Sequence, residues 1–185
     1  MSRLPSTPTS TAKGITAEIY TEIKKSAGIV PNVYAAFASH CPNGLKATID
    51  LDKAISESNL TEAEITAIRL QVSVELNCEY CINAYAFLGQ FSDLAKSVIA
   101  DIIHKRPTEH AQMDAILNFS RTLINSKGVI DIEHIHKVMS AGYTEKNLIE
   151  ICLIVSNTIL ITLINRVNDT AVDFPSYRTE DGCAG

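Results

Sequence analysis

Two cysteines three positions apart, Cys78 and Cys81, are the residues of this chain whose spacing most directly indicates chemistry. Asn77 is typical of a left-handed helix stop, and the residues after it predict a new helix that begins at Cys78. Positions three apart share one helix face, so the two sulfurs are expected within disulfide reach and near the positive end of the helix dipole. Such a site favours the thiolate, and we predict a sulfur nucleophile at neutral pH.

The second thiol of the pair gives the predicted site its redox chemistry. Attack by one thiolate on a peroxide leaves a sulfenic acid, which the neighbouring thiol converts to a disulfide before further oxidation occurs. Half of a zinc site and two ordinary buried cysteines are the alternative interpretations. Zinc is disfavoured because no second CxxC or HxxxH follows, and His134 and His136 diverge on a helix. We expect neither a metal nor a cofactor.

Composition restricts the class of protein and its partners. A chain of 185 residues, 46% apolar, is expected to form one domain, and a net charge of −5 offers no basic surface for nucleic acid. The first residues lack the apolar run of a secretory signal, so we expect a cytoplasmic protein in a reducing compartment. Its five cysteines, an odd number, are then expected to be free thiols rather than a disulfide framework.

Apolar periodicity predicts an all-α domain over residues 15–176, with an N-terminal arm at 1–14 and a tail at 177–185. The arm is rich in Ser, Thr and Pro and is expected to become ordered only against a neighbour. Thr61 and Glu64 predict a capping box that starts a buried helix from about Glu62 to Leu76. Residues 40–44 read as a loop, and further helices are predicted at 17–27, 33–39, 45–56, 78–88, 93–103, 111–125, 132–141 and 146–166.

The most apolar stretch of the chain, Ile151–Ile164, lies in the last predicted helix. Its 14 residues include three polar ones at the centre and fall short of the roughly 20 that a bilayer span needs. We therefore expect a core or subunit-interface helix, no membrane partner, and a homo-oligomer, since an apolar surface of this kind needs covering.

Four segments of the chain share a family pattern. They are Ile29–Tyr34, Ala67–Leu70 leading into Cys78–Cys81, Ala141–Tyr143 with Glu150, and Asn165–Asp169 followed by Asp173–Pro175. Together they resemble the carboxymuconolactone decarboxylase family, in particular its alkylhydroperoxidase D (AhpD) branch. The resemblance implies an AhpD-like all-α fold with the dithiol at a helix N-terminus, assembled as trimers or hexamers. It also implies that Cys81 attacks an organic hydroperoxide or a disulfide, that Cys78 resolves the intermediate, and that an external dithiol reduces the bridge.

The sequence departs from the AhpD branch at the proton relay that deprotonates the attacking thiol. The branch typically has a glutamate twelve residues before the first cysteine and a histidine four residues after the second; these positions are Thr66 and Tyr85 here. Tyr85 shares a helix face with Cys81 and could stabilise a thiolate, but a phenol with a pKa of about 10 is a poor base. Glu75, three residues before Cys78, is our first candidate for the missing base.

Other charged residues and thiols have simpler interpretations. Glu64 is a weaker base candidate because capping already accounts for it, whereas Arg69 could lower a thiol pKa as a cation. Cys152 is predicted to be a small buried hydrophobe, and Cys183 lies in the polar tail. Cys41 could form a reactive pair with His40, although sequence neighbours rarely have the geometry of a nucleophile and its base.

Three functions are compatible with these features. The leading one is a thiol peroxidase or disulfide reductase in antioxidant defence. The second is a redox sensor or assembly module with little turnover, which the substitution of the relay by Thr66 and Tyr85 favours. The third, a lactone decarboxylase, ranks last because that branch does not depend on a CxxC.

Overall fold

Helices alone build the part of the chain that the structure, a computed structural model, describes, residues 2–177. No strand occurs within these residues, which confirms the predicted all-α fold. In chain order the helices are α1 (Gly14–Ala27), α2 (Asn32–His40), α3 (Pro42–Ser56), α4 (Glu62–Glu75), α5 (Glu79–Gly89), α6 (Lys96–Ile103), α7 (Ala111–Asn125), α8 (Ile132–Ser140) and α9 (Glu145–Asn168).

Helices α4 and α9 form the centre of the fold. They pack against each other, α4 also contacts α5, α6 and α7, and α9 also contacts α2, α3, α7 and α8. The predicted capping box starts α4: Glu64 N–H donates to Thr61 Oγ1 at 3.2 Å, and Thr61 N–H donates to the Glu64 carboxylate at 2.8 Å. Fully buried aliphatic side chains fill the space between α4, α7 and α9, each stabilising the fold by about 1.5–3 kcal/mol; they include Ile68, Val72, Ile116, Ile151 and Ile154.

Three predicted helix starts are wrong by three residues. Helix α1 begins at Gly14 rather than at residue 17, and the starts of α3 and α6 differ for local reasons. Residues 42–44 are the first turn of α3 rather than a loop, with Pro42 at its start. Proline fits there because its fixed φ suits a helix and its missing N–H would have no partner in the first turn. Helix α6 begins at Lys96 rather than Asp93, because Asp93 adopts a left-handed backbone with φ of 58° and cannot belong to the helix.

The N-terminal arm lies against its own chain. Arg3 N–H donates to the carbonyl of Asn168 at 2.7 Å, and Leu4 N–H donates to the side chain of the same residue at 2.9 Å. Further along, Thr7 N–H donates to Ser39 Oγ at 2.7 Å. The arm is therefore anchored at the end of α9 and on α2. The predicted tail, Cys183 included, lies outside the described residues except for Tyr177.

Helix α9 is longer than its apolar stretch suggested. Its 24 residues make it long and apolar enough, by length and composition, to cross a membrane, so the expectation that it is too short was wrong. Half of its most apolar window is buried within the protein. Polar side chains are also buried along it, including Asn157, Thr162 and Asn165. These features are typical of the central helix of a helical domain.

One face of α9 carries a row of exposed aliphatic side chains, here named the α9 stripe. Its members recur at helical spacing and are Ile149, Leu153, Leu160, Leu163 and Val167. An exposed row of this kind, interrupted by Ser156, is more typical of an interaction surface than of scattered surface leucines. If the chain self-associates as its sequence predicts, we expect the α9 stripe to lie in the interface.

We predict that a second copy of the chain covers the α9 stripe, so the protein has a solution mass above the 20.2 kDa of one chain. Gel filtration with light scattering measures this mass. The double variant Leu153→Glu, Leu160→Glu is expected to shift it toward one chain, because two carboxylates would lose their hydration in the interface. Val129→Glu is the matched control, since Val129 is 99% exposed and lies outside the stripe. A wild-type mass of 20.2 kDa would contradict the prediction.

Candidate redox site at the start of helix α5

Cys78 occupies the N-cap position of α5. The preceding Asn77 has a left-handed backbone with φ of 52°, which ends α4 and turns the chain into α5. The sulfur of Cys78 accepts a hydrogen bond from the backbone N–H of Cys81 at 3.3 Å, in the way that a serine oxygen caps a helix. A sulfur in this position interacts with the positive end of the helix dipole, which favours its anionic form.

Cys81 lies one turn into α5, where its sulfur faces α9. The side-chain amide of Asn165 donates to the sulfur at 3.3 Å, and the hydroxyl of Thr162 lies 3.5 Å from it. The carbonyl oxygen of the Asn165 side chain is buried and has no partner among the described residues. This amide therefore directs its donor at the sulfur, an arrangement that stabilises a thiolate. Both cysteines are buried and free.

The two thiols differ in their pKa values. Interaction with the Cys81 side chain, against the effect of burial, lowers the pKa of Cys78 to about 7, with further help from the Cys81 N–H, Thr162 and Arg166. The same interaction, together with burial, raises the pKa of Cys81. Cys78 is therefore the thiol of the pair that ionises first, while Cys81 keeps its proton to higher pH.

A cavity of about 480 Å³ opens beside Cys81. Aromatic and aliphatic side chains form most of its wall, among them Val33, Tyr34, Tyr80, Tyr85, Phe87, Ile161 and Phe174, and none of the described histidines lines it. Cys81 contributes to this wall, whereas Cys78 does not. Cys81 is thus the cysteine of the pair that borders the cavity, with 1% of its surface exposed.

Residues 170–177, here named the C-terminal strap, close one side of the cavity. The Asp173 carboxylate accepts hydrogen bonds from the Tyr80 hydroxyl and from the backbone N–H of Asn32, both at 2.7 Å. Phe174 packs edge-on against the ring of Tyr80, with the ring centroids 5.7 Å apart. The strap therefore connects the start of α2 with the dithiol helix α5, across the cavity.

A cluster of polar side chains around Asp52 lies near the dithiol and was not predicted; we name it the Asp52 cluster. One carboxylate oxygen of Asp52 accepts from Arg69 at 2.7 Å and from Asn157 at 2.6 Å, and the other accepts from the Tyr34 hydroxyl at 3.4 Å. The Arg69 guanidinium lies 5.8 Å from the centre of the Tyr85 ring. Burial raises the pKa of Asp52, Tyr34 and Tyr85, so both phenols remain protonated at neutral pH.

The structure corrects the role expected for Glu75. Its carboxylate accepts hydrogen bonds from Gln71 at 2.9 Å and from Arg121 at 3.1 Å, with Lys105 at 3.8 Å. Hydrogen bonds from Arg121 and the charges of Lys105 and Arg121 outweigh its burial and lower its pKa. Gln71 lies one turn before Glu75 on the α4 face that packs on α7, about 200° around the helix from Arg69. Glu75 therefore forms ion pairs on the α4 face that packs on α7, and it is not the base for the thiols.

The remaining residues considered from the sequence are placed as follows. Thr66 is buried on α4 but makes no hydrogen bond to either sulfur. Glu64 belongs to the capping box and also accepts from Tyr143. Arg69 is paired with Asp52 rather than with a thiolate.

The other described thiols lie outside the cavity wall. Cys152 is half-buried rather than buried as predicted, and burial raises its pKa. Cys41 is exposed between α2 and α3, while the ring of His40 contacts the carbonyl of Pro5 instead of the Cys41 sulfur. The structure thus brings neither of them to the dithiol.

Comparison with known proteins identifies the fold. No protein-family model and no curated protein matches the sequence. Among solved structures, the AhpD-core, peroxidase-related protein from Ralstonia eutropha JMP134 aligns with a TM-score of 0.83 at 18% identity, over 93% of this chain and 92% of that one. The chain has the AhpD-like fold. The family resemblance seen in the sequence is thereby confirmed at the level of the fold.

Two further structures show how widely this fold is used. A peroxidase-related protein from Silicibacter sp. TM1040 aligns with a TM-score of 0.76 at 17% identity, over 92% of this chain and 94% of that one. A cysteine-to-alanine variant of the debrominase Bmp8, in complex with 2,3,4-tribromopyrrole, aligns with a TM-score of 0.77 at 18% identity, over 92% and 91% of the two chains. AhpD-like domains therefore carry more than one activity.

We predict that Cys78 titrates with a pKa of about 7 and that the hydrogen bond from residue 81 is the main cause. Cys81→Ser keeps a donor and is expected to leave the Cys78 pKa low, whereas Cys81→Ala is expected to raise it toward the ordinary thiol value of about 8.5. Ultraviolet absorbance of the thiolate measures both, in a background where Cys41, Cys152 and Cys183 are serine. Equal Cys78 pKa values in the two variants would exclude the hydrogen bond as the cause.

Proposed function

We propose that this protein is a dithiol-dependent peroxidase or disulfide reductase, active in antioxidant defence in a reducing, cytoplasmic compartment. The observation that carries the proposal is a pair of free thiols at a helix N-terminus, one of which, Cys81, borders an apolar cavity. The AhpD-like fold supports it. Neither a metal nor a cofactor is required for the chemistry.

The reaction follows from the positions of the two sulfurs. The Cys81 thiolate attacks the terminal oxygen of a hydroperoxide, forming an S–O bond while the O–O bond breaks and an alkoxide leaves. Cys78 then attacks the sulfur of the resulting sulfenic acid, which releases water and forms a Cys78–Cys81 disulfide. An external dithiol reduces this bridge by thiol–disulfide exchange and becomes a disulfide itself. With a disulfide substrate, the Cys81 thiolate attacks a sulfur and a thiolate leaves.

A proton has to move between the sulfurs before Cys81 attacks. Cys78 ionises before Cys81, so the Cys81 proton would pass to the neighbouring Cys78 sulfur. The amide of Asn165 and the hydroxyl of Thr162 then stabilise the charge on Cys81. The Cys78 thiol, now protonated, is ready to act as the resolving group.

The cavity wall supports a small organic hydroperoxide as substrate. Its lining is mainly aromatic and aliphatic, so an alkyl or aryl group would be buried there with a gain of about 25 cal/mol per Å² of apolar surface. The substrate and the external dithiol would enter beside Ile29 and Leu88, since these residues of the wall are exposed.

A redox sensor or assembly module with little turnover is the second candidate. The observation that favours it is the lack of a conventional base: Tyr85 is a protonated phenol, and the carboxylate of Glu75 is bound elsewhere. In this function the dithiol would oxidise reversibly and slowly. Its oxidation would change contacts of α5 and α9 instead of supporting steady consumption of peroxide.

Steady-state reduction of cumene hydroperoxide with excess dithiothreitol is the deciding measurement. We expect turnover by the wild type, a loss to background in Cys81→Ser because the nucleophile is gone, and a strong fall in Cys78→Ser because the sulfenic acid is no longer resolved. The matched controls Cys41→Ser and Cys152→Ser are expected to retain full activity, since neither lines the cavity.

Three other outcomes would each change the proposal. Activity that disappears in Cys78→Ser and survives in Cys81→Ser would reverse the order of the sulfurs. A dithiol that oxidises stoichiometrically without turnover would support the sensor. Bromide release from a brominated pyrrole in the presence of dithiothreitol, with no peroxide consumption, would instead indicate reductive debromination.

A further inference from the structure

The Asp52 cluster lies where the proposed peroxidase reaction needs a proton donor. An alkoxide is a strong base and a poor leaving group, so its departure is accelerated when a nearby acid protonates it. The cavity wall contains few groups with a dissociable proton: besides Cys81 they are the hydroxyls of Ser26, Tyr34, Tyr80 and Tyr85 and the carboxyl of Asp173. The donor can be sought among these.

The three tyrosines of the cavity wall differ in the hydrogen bonds that their hydroxyl groups make. The Tyr80 hydroxyl is held at 2.7 Å by Asp173 as part of the C-terminal strap. The Tyr34 hydroxyl makes a longer bond, 3.4 Å, to Asp52, which leaves it free to turn toward another acceptor. Tyr85 presents its ring to Arg69 and makes no side-chain hydrogen bond within residues 2–177. Tyr34 thus combines a place in the cavity wall with a connection to a charged group.

Asp52 and Arg69 give Tyr34 the environment that a proton donor requires. Asp52 on α3 is itself held by two short hydrogen bonds, from Arg69 on α4 and from Asn157 on α9. Residues of three helices therefore hold the carboxylate that contacts the Tyr34 hydroxyl. Burial and the carboxylate of Asp52 disfavour negative charge on Tyr34, whereas the guanidinium of Arg69 stabilises it. A phenol in this setting keeps its proton at rest, and Arg69 limits the cost of a brief tyrosinate.

We propose that Tyr34 is the general acid of the peroxide step, and that Asp52 positions it. As the Cys81 sulfur bonds to the terminal oxygen and the O–O bond breaks, the leaving alkoxide takes the Tyr34 proton and departs as an alcohol. The tyrosinate is then reprotonated from water. In the overall reaction, a thiolate, a hydroperoxide and one proton give a sulfenic acid and an alcohol, so atoms and charge balance. This inference rests on the peroxidase proposed above.

The test compares leaving groups that do and do not need a proton. Single-turnover oxidation of the reduced dithiol is followed by rapid quenching and mass spectrometry, with tert-butyl hydroperoxide or peracetic acid as oxidant. Tyr34→Phe is expected to slow the reaction with tert-butyl hydroperoxide about 10²-fold, the low end of general-acid effects. The reaction with peracetic acid is expected to be unchanged, because acetate leaves without protonation.

Matched variants complete the design. Asp52→Asn is expected to show the same selectivity for the alkyl hydroperoxide, as a positioning residue would. Tyr20→Phe is the control for loss of a buried tyrosine hydroxyl, since Tyr20 donates to Thr7 and Ala35 backbone oxygens away from the cavity wall. It is expected to change neither rate.

The outcomes distinguish this inference from the peroxidase proposal. Equal slowing of both oxidants by Tyr34→Phe would indicate a structural role and overturn the inference, as would no slowing of either. Selective slowing by Tyr85→Phe in place of Tyr34→Phe would assign the acid to Tyr85. A wild-type dithiol that reacts with neither oxidant would refute the peroxidase itself.

Discussion

A buried sulfur anion is the constraint on which the rest of this structure depends. Removing a negative charge from water is costly unless donors replace its hydration. Here the donors are the backbone N–H of Cys81, which bonds the Cys78 sulfur, and the side chains of Thr162 and Asn165 on α9, which contact the Cys81 sulfur. Helices α5 and α9 must therefore keep their relative position to within a hydrogen-bond length. The buried core between α4, α7 and α9 provides the rigidity that this requires.

Much of the fold could be predicted from the sequence because its signals are local. The limits of α7, the capping box before α4 and the left-handed Asn77 depend on residues a few positions apart. The start of α3 was missed because Pro42 within a Cys-Pro-Asn-Gly segment is compatible with both a loop and a first helical turn. Local sequence does not decide between them; the packing of α3 on α2 and α9 does.

The candidate site was predictable only in part, for the same reason. The CxxC is a local pattern, whereas the Asp52 cluster joins Asp52 to Arg69 and Asn157, which are 17 and 105 residues away. No spacing rule predicts such a contact. Glu75 shows the opposite error: it is close to Cys78 in sequence, yet the turn of α4 directs it toward Arg121 on α7. Proximity along the chain is a weak guide once a helix ends between two residues.

The anchoring of the arm at Asn168 has a consequence for how the cavity opens. Asn168 holds Arg3 and Leu4 through its carbonyl and side chain, and its amide donates to Thr170 at the start of the C-terminal strap, while Ala171 N–H reaches Ser2. We therefore expect arm and strap to open together as one unit of local unfolding. A ligand that keeps the strap closed would then also protect the amides of the arm from hydrogen exchange, which would link occupancy of the cavity to order at the N-terminus.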